Sequence, residues 1–135
     1  MKKNVKTLLV LIVIMIVIIS ALLFFIYFQN DKNKFIGTWK AEVNEEEYFT
    51  MTFCLNNSLK TVVYKRSNSS TPFWEVNFDY WTTYKLEDQM LYHYINEDIS
   101  HIGGGRTITY FYRFSENDKK LEMVDDFDKT ILIKQ

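Results

Sequence analysis

Residues 34–43 read KFIGTWKAEV, and the alternation inside that stretch decides the fold. From Gly37 onward, Trp39, Ala41 and Val43 fall on one face and Thr38, Lys40 and Glu42 on the other, the period of a half-buried strand. The same period recurs in EYFTMTF (47–53), where Phe49, Met51 and Phe53 oppose Tyr48, Thr50 and Thr52. SLKTVVYK (58–65), QMLYHYI (89–95), TITYFYRF (107–114), KKLEMV (119–124) and KTILIK (129–134) continue it with β-branched and aromatic residues. WEVNFDYWTTYKLE (74–87) supplies the fourth strand, expected to straighten from about Asp79. The connectors, LNN, SNSSTP, LEDQ, SENDK and DDFD among them, are turn formers, most of them short enough for hairpins. No capped helical stripe interrupts this part of the chain. The expected fold class is therefore all-β, an antiparallel up-and-down barrel of about eight strands, whose closure removes exposed edges. A two-sheet sandwich, built from the same strand signals, is the alternative.

Upstream the chemistry changes. Thr7 to Phe28, TLLVLIVIMIVIISALLFFIYF, holds 22 residues without a charge, a Pro or a Gly. As a helix it would be about 33 Å long, enough to cross a hydrocarbon core of roughly 30 Å. Lys2, Lys3 and Lys6 precede it, as they would in a secretory signal. However, a signal's apolar region is usually about 7–15 residues and ends in a small-residue cleavage site, whereas here LLFFIYF follows Ser20-Ala21. The expectation is an uncleaved signal anchor: residues 1–6 in the cytoplasm, 7–28 across the cytoplasmic membrane, 29–34 a linker and 35–135 the barrel domain. The lysines ahead of the span outweigh Lys32 and Lys34 behind it, so the C-terminal domain is expected to face outside in a single-pass arrangement. The linker QNDKNK spans about 20 Å even if fully extended, which would keep the domain close to the headgroups.

Charge narrows the partners. Residues 29–135 carry all 17 acidic residues and 13 of the 16 basic ones. A domain this acidic lacks the basic stripe that nucleic acid requires, and no nucleic-acid partner is expected. The one cysteine, Cys54, permits no intrachain disulfide and is expected to be buried and inert. The fold must stand on its core, which the abundance of Phe, Tyr and Trp makes feasible at about 100 residues.

IGTWKAE, with Gly37 two residues before Trp39 on the first of eight strands, resembles the opening of the lipocalin-like, or calycin-like, domains, and most closely the small microbial ones held behind a signal or anchor segment. The resemblance implies that Gly37 and Trp39 sit at the closed end of a small barrel and that a late Arg, here Arg113, packs over the Trp. The sequence departs from the larger members: FDYW (78–81) only partly echoes their T-D-Y loop motif, and a helix after the last strand is not expected.

Candidate ligand contacts lie on the barrel interior: Phe49, Met51 and Phe53 on the second strand, Tyr110 and Tyr112 on the sixth. An eight-stranded barrel is either filled by its side chains or holds one small ligand. Tyrosines spaced by two, Tyr92 with Tyr94 and Tyr110 with Tyr112, read as cross-strand sheet stabilisers. Catalytic patterns are absent. His93 and His101 lack metal-ligand spacing and are expected to be polar surface residues. Gly103-Gly104-Gly105 leads into a strand without the Gly-Lys-Ser/Thr of a phosphate loop and reads as a flexible turn, and Asp125-Asp126-Phe127-Asp128 as a solvated one. No enzyme, metal or cofactor is expected. The functional expectation is a membrane-anchored barrel that binds a small apolar or cell-envelope molecule. The alternative is a filled barrel that binds an envelope protein through its outside.

Overall fold

The computed structural model describes residues 2–99 and 104–135. The chain divides into two units, Met1–Lys34 and Phe35–Gln135. The first carries helix α1 (Lys2–Gln29), within which Val5–Tyr27 is long and apolar enough to cross a membrane. Length and composition suit a membrane span and a signal sequence alike. The expected linker, 29–34, is not extended: Gln29 ends α1 and residues 31–34 belong to the short helix α2 (Asp31–Phe35). It begins where the Asn30 side chain accepts from the Lys32 amide at 2.9 Å, a capping contact that Asn makes readily.

The second unit is a closed antiparallel barrel in which each strand pairs with its sequence neighbours. Its strands are β1 (Gly37–Asn44), β2 (Glu47–Phe53), β3 (Ser58–Arg66), β4 (Trp74–Glu87), β5 (Met90–Ile95), β6 (Arg106–Ser115), β7 (Lys120–Val124) and β8 (Lys129–Lys134). The barrel, not the sandwich, is what the alternation encodes. One strand runs longer than its sequence suggested: β4 pairs from Trp74, since Arg66 faces Trp74 and Lys65 faces Glu75. A bulge at Asn77, where Val63 faces Phe78 but Tyr64 faces Val76, absorbs the irregularity and keeps Phe78 and Tyr80 on the inner face. The β4–β5 hairpin turns through Asp88 and Gln89, both at positive φ, the geometry that matches the right-handed strand twist.

The end of the barrel where the chain arrives is sealed. Gly37, at φ +119°, makes the change of direction from α2 into β1, which side chains with a Cβ resist. That turn drives the Phe35 ring into the barrel bottom, where it is fully buried. It meets Phe53, Tyr112 and Phe114 edge-on with ring centroids 5.0, 4.8 and 5.0 Å away. Trp39 is also fully buried, and its indole Nε1–H donates to the Phe35 carbonyl at 2.7 Å. Leu59, Leu91, Leu121 and Leu132 complete the layer.

Arg113 does not lie over Trp39. Tyr112 and Phe114 point inward, so the residue between them must point out, and Arg113 is exposed with its guanidinium 2.8 Å from Glu122. The cation over the indole is Lys134, with Nζ 5.1 Å from the ring centroid. Cys54 also departs from expectation: it lies just after β2 and is only half-buried, not buried. Gly104 is more than a flexible turn, because a Cβ there would press into the carbonyl oxygens of Asn96, Glu97 and Ile99. His101 and Gly103 lie outside the described residues.

Replacing Phe35 with Ala removes the plug and leaves a cavity, so it should lower stability by about 3–5 kcal/mol in urea titration of the full chain. Trp39→Phe keeps most of the buried ring and strands only the Phe35 carbonyl, with an expected loss of about 1–3 kcal/mol.

Candidate functional site

The five interior residues expected from strand parity do face inward, but the barrel divides them. Phe53 and Tyr112 belong to the sealed layer around Phe35. Phe49, Met51 and Tyr110 line a cavity of about 210 Å³ in the opposite half. Tyr92 and Tyr94 point outward, whereas Tyr110 and Tyr112 point inward, so the two tyrosine pairs lie on opposite faces of the wall.

The cavity exists because side chains shrink toward this end. Where the bottom has Phe, Trp and Leu, the same strands now present Thr61 and Val63 from β3 and Thr130 from β8. Its inner wall is made by buried Met51, Thr61, His93 and Met123. Its rim is made by half-buried Phe49, Phe78, Tyr80 and Ile108, with the exposed Arg106 among them. The result is a cup: sealed at the chain's point of arrival, open at the far end, apolar for most of its surface.

His93 is the residue that sequence reading misplaced. It is 3% exposed, not a surface polar residue. Its Nε2 lies 2.7 Å from the Thr82 Oγ1, whose hydroxyl donates to the Leu59 carbonyl at 3.3 Å. A hydroxyl has one proton to give, so with Leu59 as its acceptor the Thr82 oxygen receives the Nε2–H of His93. In the neutral ring Nδ1 then carries a lone pair. That atom is buried with no hydrogen-bond partner among the described residues. The signal for an inward His93 was in the chain: it shares parity with Leu91 and Ile95, both buried.

Protonation follows from these surroundings. Burial, assisted by the nearby Arg106 guanidinium, pushes the His93 pKa down to about 4. Burial pushes the Tyr110 phenol up to about 12, with Asp125 and Tyr80 adding to the effect. Tyr80 is raised as well, again chiefly by burial. At neutral pH the ring and both phenols are uncharged, and Arg106 is the one charged side chain among the cavity's lining residues.

Other sequence candidates stay outside the cup. Asp125 caps its own hairpin, its Oδ1 accepting from the Phe127 and Asp128 amides at 2.8 Å each. No cluster of three or more His, Cys, Asp or Glu suited to a metal occurs among the described residues. Two Asn-x-Ser glycosylation-type sequons begin at Asn56, exposed in the β2–β3 turn, and at Asn68, exposed in the β3–β4 connection.

The chain matches no family model, no curated protein and no solved structure. What the structure itself defines is the class: an eight-stranded, closed antiparallel β-barrel with one long apolar N-terminal helix.

A neutral buried His93 has a consequence for stability. The unfolded chain binds a proton on it near pH 6.5 and the folded chain only near 4, so the unfolded state holds more protons in between. This contribution is fully present above about pH 6.5 and should be lost as pH falls toward 4, a change of about 3 kcal/mol. His93→Leu should lack that component, which comparison of urea midpoints for the two proteins at pH 7 and pH 4 would read directly.

Proposed function

We propose that the chain is a membrane-anchored, lipocalin-like barrel that holds a small, mainly apolar molecule in its open half, outside the cytoplasmic membrane. The cavity of about 210 Å³ carries this reading. It is larger than the roughly 150 Å³ apolar cavity known to admit benzene, and it is smaller than the usual range of roughly 300–1,000 Å³ for drug-sized ligands. A ligand little larger than a single ring suits it. The Gly37-x-Trp39 opening and the sealed bottom beneath it support the lipocalin-like affinity. The uninterrupted apolar run through Phe28 favours an anchor that stays attached.

Binding by the outer surface is a second reading, favoured by one observation. Tyr48 stacks on Tyr64 with centroids 4.6 Å apart and meets Trp74 edge-on at 4.7 Å, with Lys40 over the Tyr48 ring. Such pairs also stabilise sheets without any partner.

Displacement of an environment-sensitive apolar dye from the full chain in lipid nanodiscs separates the two. The cup reading expects one dye per chain, displaced by small aromatic hydrocarbons. Val63→Trp should fill the cavity and weaken dye binding at least tenfold, at a stability cost of about 1–3 kcal/mol. Unchanged dye binding in a folded Val63→Trp protein would move the site off the cup.

Topology has its own test. Ser69 is exposed in the β3–β4 connection, and Ser69→Cys should react with a membrane-impermeant maleimide in intact cells. Labelling only after the cells are opened would reverse the orientation, and release of the labelled domain without α1 would show cleavage.

A further inference from the structure

The cup has a polar reading point on its inner wall, and that point limits what fits there. His93 is 3% exposed, forms part of the cavity lining, and leaves Nδ1 without a partner among the described residues. An unpaired buried acceptor is costly, and a bound group that donates to it recovers that cost. The other ring nitrogen is already committed to Thr82, which fixes both the ring's orientation and its tautomer.

We infer that the cup selects a compact, uncharged molecule bearing a hydroxyl, a phenol or a small alcohol, whose O–H donates to Nδ1 of His93 while its apolar body packs against Met51, Val63 and Met123. This rests on the cup being the binding site. Three features narrow the class. The volume of about 210 Å³ limits the body to about one ring or a short chain. An ammonium donor would stand in a largely apolar cavity close to the Arg106 guanidinium, where a second positive charge is disfavoured. A carboxylate, having no proton to give, would set two acceptors against each other at Nδ1.

The test uses the full chain in nanodiscs, labelled with ¹³C at the methionine methyls and ¹⁵N at histidine. Met51 and Met123 report the cavity, Met90 reports the sealed end of the wall, and Met15 in the apolar helix reports partition into lipid. Three probes of similar size are titrated: 4-methylphenol, which donates; anisole, which only accepts; and toluene, which does neither.

The expected result is that 4-methylphenol shifts Met51 and Met123 at concentrations about tenfold or more below those needed for toluene or anisole. The Nδ1 resonance of His93 should move with it, and His93→Leu should bring the three probes to near-equal affinity. Equal or tighter binding of toluene, or the same preference in His93→Leu, would overturn the selection while leaving the cup intact. Tighter binding of anisole would mean that Nδ1 carries the proton and would overturn the donor requirement. If no probe shifts Met51 or Met123 while Met15 responds, the cup itself is not a binding site and the proposed function fails with it.

Discussion

The barrel hangs on one contact, the hydrogen bond from the Trp39 indole to the Phe35 carbonyl at 2.7 Å. It ties the last residue of α2 to the first inward side chain of β1 across the turn that Gly37 permits. With that carbonyl held, the Phe35 ring has one place to go, the centre of the barrel bottom. There it completes edge contacts with rings from β2 and β6, strands far apart around the wall. A residue outside the sheet thus supplies the centre of the layer.

The other half follows from sealing the first. Large residues packed at one end, Trp39, Phe53, Tyr84 and Phe114 among them, leave the shorter Thr61, Val63 and Thr130 among the residues that shape the other. The short side chains cannot meet across a barrel whose diameter is fixed by strand number, so a cavity remains. Polar atoms in that half then have to be satisfied locally. Thr82, paired with Leu59, bridges the Leu59 carbonyl and His93, and the buried His93 Nδ1 is left without a partner among the described residues. The distinction between a filled and an open barrel therefore dissolves: the lower half is packed and the upper half is hollow.

Much of this was written in the alternation of residues. Period two placed Phe49, Met51, Phe53, Tyr110 and Tyr112 on the inner face, because in a half-buried sheet a shift of one residue would turn every apolar side chain to water. It could not say at which height each would sit, since height depends on strand stagger around the barrel, and so Phe53 and Tyr112 fell into the plug rather than the cavity. His93 was misplaced because residue type was weighed above parity with Leu91 and Ile95. Arg113 failed the same test in reverse, lying between two inward aromatic residues. The early start of β4 was hidden by Asn77, whose bulge breaks the alternation ahead of Asp79.

Closure is uneven around the ring. β1 and β8 pair only through Trp39 with Lys134 and Lys40 with Ile133, with the Gln135 amide donating to the Thr38 carbonyl at 3.0 Å, all near the sealed end. Elsewhere neighbouring strands pair over five or more positions. Toward the mouth, Glu42 and Val43 of β1 therefore share no ladder pair with Ile131 of β8. Widening the barrel at this seam breaks no β1–β8 ladder pair, while the bottom stays fixed by the plug and by Lys134 over the Trp39 ring. Rigidity and compliance are thus separated along one axis, with the hydrogen-bonded, aromatic-filled end holding the register. The open end can adjust its width there without breaking a β1–β8 ladder pair.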